Sequence, residues 1–141
     1  MTREIKFRGK VKHHDPMTTP ENGWVEGYYV QDLAQGEMRN YIFQPPCCWE
    51  VIPETVGQFT GLLDKNGKEI YEGDIICSYD SNGETITHYI EWKERDAVYR
   101  ATNIKYPLLG GWAYQDWIDE FEKEVIGNVF DNPELLEGGI E

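Results

Sequence analysis

Asn-Gly occurs twice within a short span, at Asn66-Gly67 and at Asn82-Gly83, with a run of β-branched and aromatic residues between the two pairs. Glycine lacks a Cβ and asparagine tolerates left-handed backbone, so each pair predicts the tight turn of a β-hairpin. The stretch "GLLDKNGKEIYEGDIICSYD", residues 61–80, holds the first pair and a further bend, Gly73-Asp74, before an apolar strand from Ile75 to Tyr79. Many short strands joined by such turns predict a mainly β protein built as a small barrel or strongly bent sheet.

The rest of the chain repeats the pattern. Ile5 and Phe7 alternate with basic residues in "REIKFRGK", as a half-buried strand requires. A polar connection, "HHDPMTTPENG", leads to "WVEGYYV", where Trp24, Tyr28 and Val30 share one parity and Val25 and Tyr29 the other. A turn at Gly36 precedes a strand near "MRNYIF", and "QPPCCWEVIPETVG" is expected to be an irregular bridge because proline removes amide donors. Beyond Asn82-Gly83, "TITHYIEW" and "AVYRAT" predict two more strands, with Ile86, His88, Ile90 and Trp92 on one face. A loop from Tyr106 to Gly111 then positions Trp112 and Tyr114. Trp117 and Phe121 stand four apart with Ile118 beside them, which predicts a short helix packed on the sheet. Gly127 is expected to lead into a last short strand.

Charge narrows the function classes. The 141 residues carry a formal net charge of -13, which opposes non-specific binding to a phosphate backbone. The balance is uneven: Arg3, Lys6, Arg8, Lys10 and Lys12 crowd the start, whereas acids dominate from Asp119 onward. Cys47, Cys48 and Cys77 make no C-x-x-C framework and predict reduced thiols. "MTREIKFRGK" is no apolar signal segment and no later run approaches a membrane span, so a cytoplasmic protein with no membrane partner is expected.

No catalytic pattern stands out. G-x-S-x-G, H-E-x-x-H, the G-x-x-x-x-G-K-[ST] phosphate loop and the dinucleotide fingerprint are all missing from the sequence. His13-His14-Asp15 supplies metal-compatible atoms, but adjacent histidines do not arrange three ligands around one ion, and an exposed polar loop explains them better. Pairs such as Glu69 with Glu72, or Asp119 with Glu122, lack any assured separation across a cleft. We therefore expect no catalytic, metal or cofactor residues. The candidate interaction residues are aromatic: Tyr71, Trp92, Tyr99, Trp112 and Tyr114, which can anchor a protein interface or stack on bases.

Taken in order, "REIKFRGK", "GWVEGYYV", "VIPETVGQFTGLLDKNGKEIYEGDII", "IEW" and "EVIGNVFDNPELL" make the sequence resemble the YopX family of phage and prophage proteins over nearly its whole length. The longer "HHDPMTTPE" insert and the Cys47-Cys48 pair depart from that pattern. The resemblance implies a mainly β fold whose later portion is an SH3-like small barrel, and it brings no enzyme assignment. The expectation is then a single compact domain over 1–141, with an N-terminal β portion at 1–50, a barrel-like portion at 51–133 and a short C-terminal helix. The expected function is that of a non-enzymatic accessory protein that binds an unidentified protein partner, with self-association into a homo-oligomer as a separate expectation. Nucleic-acid binding by the barrel is the alternative.

Overall fold

The computed structural model describes residues 4–120 and 122–137, so Phe121 lies outside the described residues. Strand makes up 55% of the chain and helix 8%. Two compact units are present, Met1–Phe59 and Thr60–Glu141.

The first unit is built from β1 (Phe7–Val11), β2 (Trp24–Ala34), β3 (Glu37–Gln44) and the long β4 (Cys47–Leu63), which runs on past the division. Each strand pairs antiparallel with the next, and β1 also pairs with β4, so four strands close into a small barrel. A strand of five residues serves a neighbour on each edge, and its ladder to β4 slips between Arg8 and Lys10. Gly9 lies at the slip, where a Cβ would come within 3.1 Å of the Val51 side chain. Val25, Ile42 and Val51 fill the interior, and Phe7, Val11, Tyr29, Trp49 and Val56 pack against them. The opposite parity of β2 faces out, leaving Tyr28 63% exposed and Val30 45%.

The closed ring of strands lies in β1–β4. One expectation is revised here. The supposed irregular bridge is mostly strand: Pro45 and Pro46 occupy the turn before β4, and Pro53 is carried within it. Proline is tolerated at ladder irregularities. Here the Thr55 hydroxyl fills in, accepting from the Lys10 amide at 2.9 Å and donating to the Ile52 carbonyl at 2.6 Å.

The second unit begins with the 61–80 segment. Asn66-Gly67 forms the predicted turn, with Gly67 at φ 79°. Asp64 holds it: one carboxylate oxygen accepts from the amides of Asn66 and Lys68 at 2.8 and 2.9 Å, and the other from the Val125 amide at 2.9 Å. Burial raises the Asp64 pKa, but these amides more than offset it and hold the carboxyl below its ordinary range. Gly73, at φ 92°, then redirects the chain, and buried Asp74 accepts from the Tyr71 amide at 2.8 Å. The segment is a folding device.

β5 (Glu69–Tyr71) joins β4, whereas β6 (Asp74–Tyr79), β7 (Thr85–Lys93), β8 (Val98–Asn103), β9 (Gly110–Trp112) and β10 (Glu124–Asn128) form an open sheet in the order β10-β6-β7-β8-β9. Gly127 falls inside β10, at a slip in its ladder to β6, rather than before the last strand. α1 (Gln115–Glu120) and α2 (Glu134–Glu137) are short. Ile118 of α1 joins Ile70, Ile76, Ile90, Tyr99, Ala101 and Ala113 in the core, with Trp117, Leu62 and Val125 packed against it. Each fully buried isoleucine contributes about 1.5–3 kcal/mol of apolar transfer.

Candidate functional site

The open sheet ends at β9, and its register decides what that edge offers. Asn103 donates to the Leu109 carbonyl at 3.4 Å and Ala113 to the Tyr99 carbonyl at 2.9 Å, so the inward-bonding positions are 109, 111 and 113. Trp112 lies between them, which turns its amide and carbonyl toward the open side of the strand. Among the described residues no strand pairs with that side.

Apolar side chains collect around this edge. Leu108 is 96% exposed, and Tyr106, Leu109, Trp112 and Tyr114 are exposed with it. The preceding loop is well bonded: Asn103 Oδ1 accepts from the Tyr106 amide at 2.8 Å, and the Leu109 amide donates to the Tyr106 carbonyl at 2.8 Å. Arg100, opposite Trp112 in the ladder, donates to the carbonyls of Leu109 and Pro107 at 3.3 and 3.5 Å. These bonds hold the loop beside β9.

The five candidate aromatic residues therefore divide. Trp112 and Tyr114 belong to the edge cluster. Trp92 is exposed and lies edge-on to Tyr99, 4.9 Å between ring centroids. Tyr99 and Tyr71 are only 8% and 4% exposed, so their rings belong to the interior and offer little surface to a partner. Spacing gave no warning, because Trp92 and Tyr99 are ladder partners on one face of the sheet and differ only in how much packs over each ring.

A second feature went unrecognised in the sequence as a site. Ile76 pairs with His88 and Ser78 with Ile86, so these four share one face of the β6–β7 hairpin. Where that face leaves the core, a cavity of about 520 Å³ opens, lined by Ser78, Ile86, His88, Trp117 and Lys123, with Asp80 also contributing. The His88 and Trp117 rings meet edge-on at 5.0 Å, and the Lys123 ammonium sits 4.1 Å from the Trp117 centroid while donating to the Trp117 carbonyl at 2.9 Å. Burial, aided by the Lys123 charge, lowers the His88 pKa to about 4, and burial also lowers that of Lys123. The His88 Nδ1 is buried with no hydrogen-bond partner.

Among the described residues no three His, Cys, Asp or Glu side chains cluster to hold an ion. His13 and His14 are exposed beside Asp15, whose carboxylate caps its own loop at Met17 and Thr18. Cys47, Cys48 and Cys77 are free thiols, with burial and Glu124 raising the pKa of Cys77. No helix of the described residues is long and apolar enough to cross a membrane.

No curated protein matches the chain. Among solved structures it is similar to protein EF1440 from Enterococcus faecalis, at 21% identity and a TM-score of 0.49, over 96% of this chain and 99% of that one. The model of the YopX protein family matches residues 6–137, nearly the full length, with both the barrel strands and the open sheet inside the match. The chain belongs to the YopX protein family.

Proposed function

We propose that this is a phage-type accessory protein that acts without catalysis by binding another protein, and that the edge of β9 is where it does so. The observation carrying this reading is the outward backbone of Trp112 amid exposed Leu108, Leu109 and Tyr114. An unpaired edge with apolar side chains beside it suits strand addition, in which main-chain bonds give affinity and alternate side chains give specificity. Trp112 and Tyr114 are the anchors, and Trp92 lies elsewhere on the exposed surface of the same unit. Charge selects the partner: residues 60–141 hold seven Lys and Arg against eighteen Asp and Glu, so the added segment is extended, apolar at alternate positions and basic between them.

Nucleic acid is the second reading, because Arg8 and Lys10 lie 4.9 and 6.0 Å from the Trp24 ring. Neighbouring cations are already matched by acids, however: Lys6 meets Glu4 and Glu26, and Lys12 meets Glu50 at 3.5 Å. That supports the protein reading. Selection from a displayed library of extended peptides tests the choice. The expected outcome is enrichment of alternating apolar and basic sequences whose affinity falls further with Trp112→Pro than with Trp112→Ala, since proline also removes the outward amide. Selected sequences indifferent to both substitutions would refute the edge. Tight DNA or RNA binding with a steep salt slope would favour the second reading. Light scattering separates the case in which a second copy of the chain is the partner.

A further inference from the structure

The cavity beside His88 is independent of the β9 edge and carries its own reading. Its walls are mostly apolar, formed by Ile86, Trp117 and Tyr79, yet three buried polar groups stand among them, the Ser78 hydroxyl, the His88 imidazole and the Lys123 ammonium, with the less buried Asp80 and Ser81 also in the lining. All three residues are buried, His88 at 7% exposure and Lys123 at 2%. An apolar chamber with a few polar groups in its wall is the ordinary form of a small-molecule site.

The chemistry of those groups restricts what fits. A bare ring nitrogen is cheaper to bury unpaired than an N–H, so the shielded Nδ1 is the unprotonated one and Nε2 carries the hydrogen. The imidazole N–H, the serine hydroxyl and the ammonium are then all donors, and the ammonium adds positive charge. A cationic ligand would meet Lys123 as a like charge. A multiply charged anion would be repelled by Asp80, whose carboxylate is fixed by the amides of Asn82 and Glu84 at 2.8 and 2.9 Å. A flat apolar ring with a single negative charge attracts Lys123 while keeping the repulsion from Asp80 smallest among anions. Its ring lies against Trp117 and Ile86, and its acceptor oxygens face the donors. We propose that this cavity is a binding site for a small aromatic monocarboxylate.

Titrating the full-length chain, labelled with ¹⁵N-histidine, tests the assignment, with sodium benzoate as probe and benzamide as its neutral counterpart. His88→Gln identifies the His88 ring signals. The site predicts saturable displacement of those signals, with benzoate bound at least about tenfold more tightly than benzamide, and a comparable loss in Lys123→Met but not in Lys65→Met. No displacement by benzoate up to about 10 mM would overturn the proposal, as would equal affinity for the two probes. Lys123 is buried and its replacement puts folding at risk, so Ile86→Trp, at a partly exposed position in the cavity wall, supplies the second check. Filled by the indole, the cavity should lose benzoate binding with the His88 signals still those of a folded chain, and undiminished binding there also refutes the site.

Discussion

The barrel of β1–β4 and the open sheet of β6–β10 solve the same problem in opposite ways. Closing the ring pairs β1 with both β2 and β4, which leaves β1 no free edge, and this unit is close to charge balance, with six Lys and Arg against eight Asp and Glu in residues 1–59. The second sheet stops at β9 with Trp112 facing outward, and it lies in the unit that carries nearly all of the net negative charge. An edge strand normally invites indiscriminate pairing. A strongly acidic surrounding discourages other acidic chains and admits basic ones. The contrast teaches that capacity for recognition follows from where a sheet is left unfinished, and selectivity from the charge around that place.

The largest effects should come from the two cores. Ile42→Ala in the barrel and Ile76→Ala in the open sheet each remove a fully buried side chain, and each should cost about 2–5 kcal/mol in urea denaturation. The sharper outcome concerns binding: under conditions where both variants remain folded, neither should change the affinity of a segment held at β9.

Next comes a pH effect confined to the second unit. The His88 pKa falls from 6.5 to about 4 on folding, so between those values the unfolded chain binds more protons. The contribution of a neutral His88 is complete above about pH 6.5 and lost as pH drops toward 4, an order-of-magnitude loss of about 3 kcal/mol. Denaturation across that window should show a shallower pH dependence in His88→Gln than in the parent. Equal slopes would mean that the imidazole is not buried as described.

A smaller loss is expected at the bend. Gly73→Val forces a β-branched residue to φ 92° and should cost about 1–3 kcal/mol, whereas Lys68→Ala, on an exposed turn, should fall within about 0.5 kcal/mol of the parent. Comparable stability of the two variants would remove the bend from the account.

Legibility in the sequence followed the range of the interactions. Asn66-Gly67, Asn82-Gly83, Gly36 and the strands they connect were readable because turn chemistry is local. The closing of the ring was not, since it depends on β1 pairing with β4 across roughly forty residues and on Gly9 clearing Val51. Proline at position 53 read as a break, yet Thr55 supplies the missing bonds. For the site, Trp112 and Tyr114 were identifiable as aromatic candidates, but parity could not separate them from Tyr71 and Tyr99, whose burial depends on which neighbours pack over them. His88 read as a sheet residue, and so it is. Its cavity depends on Trp117 and Lys123, brought over it from beyond β9.

The open edge itself is best tested by amide hydrogen exchange, resolved residue by residue by NMR, on the chain alone and saturated with a selected apolar–basic segment. Strand addition at β9 predicts new protection of the Trp112 amide on binding, with the amides of Tyr28 and Phe43 on the barrel hairpin exchanging as before. Unchanged exchange at Trp112, with protection appearing instead along Tyr28 and Phe43, would contradict the account and move the recognition surface to the barrel.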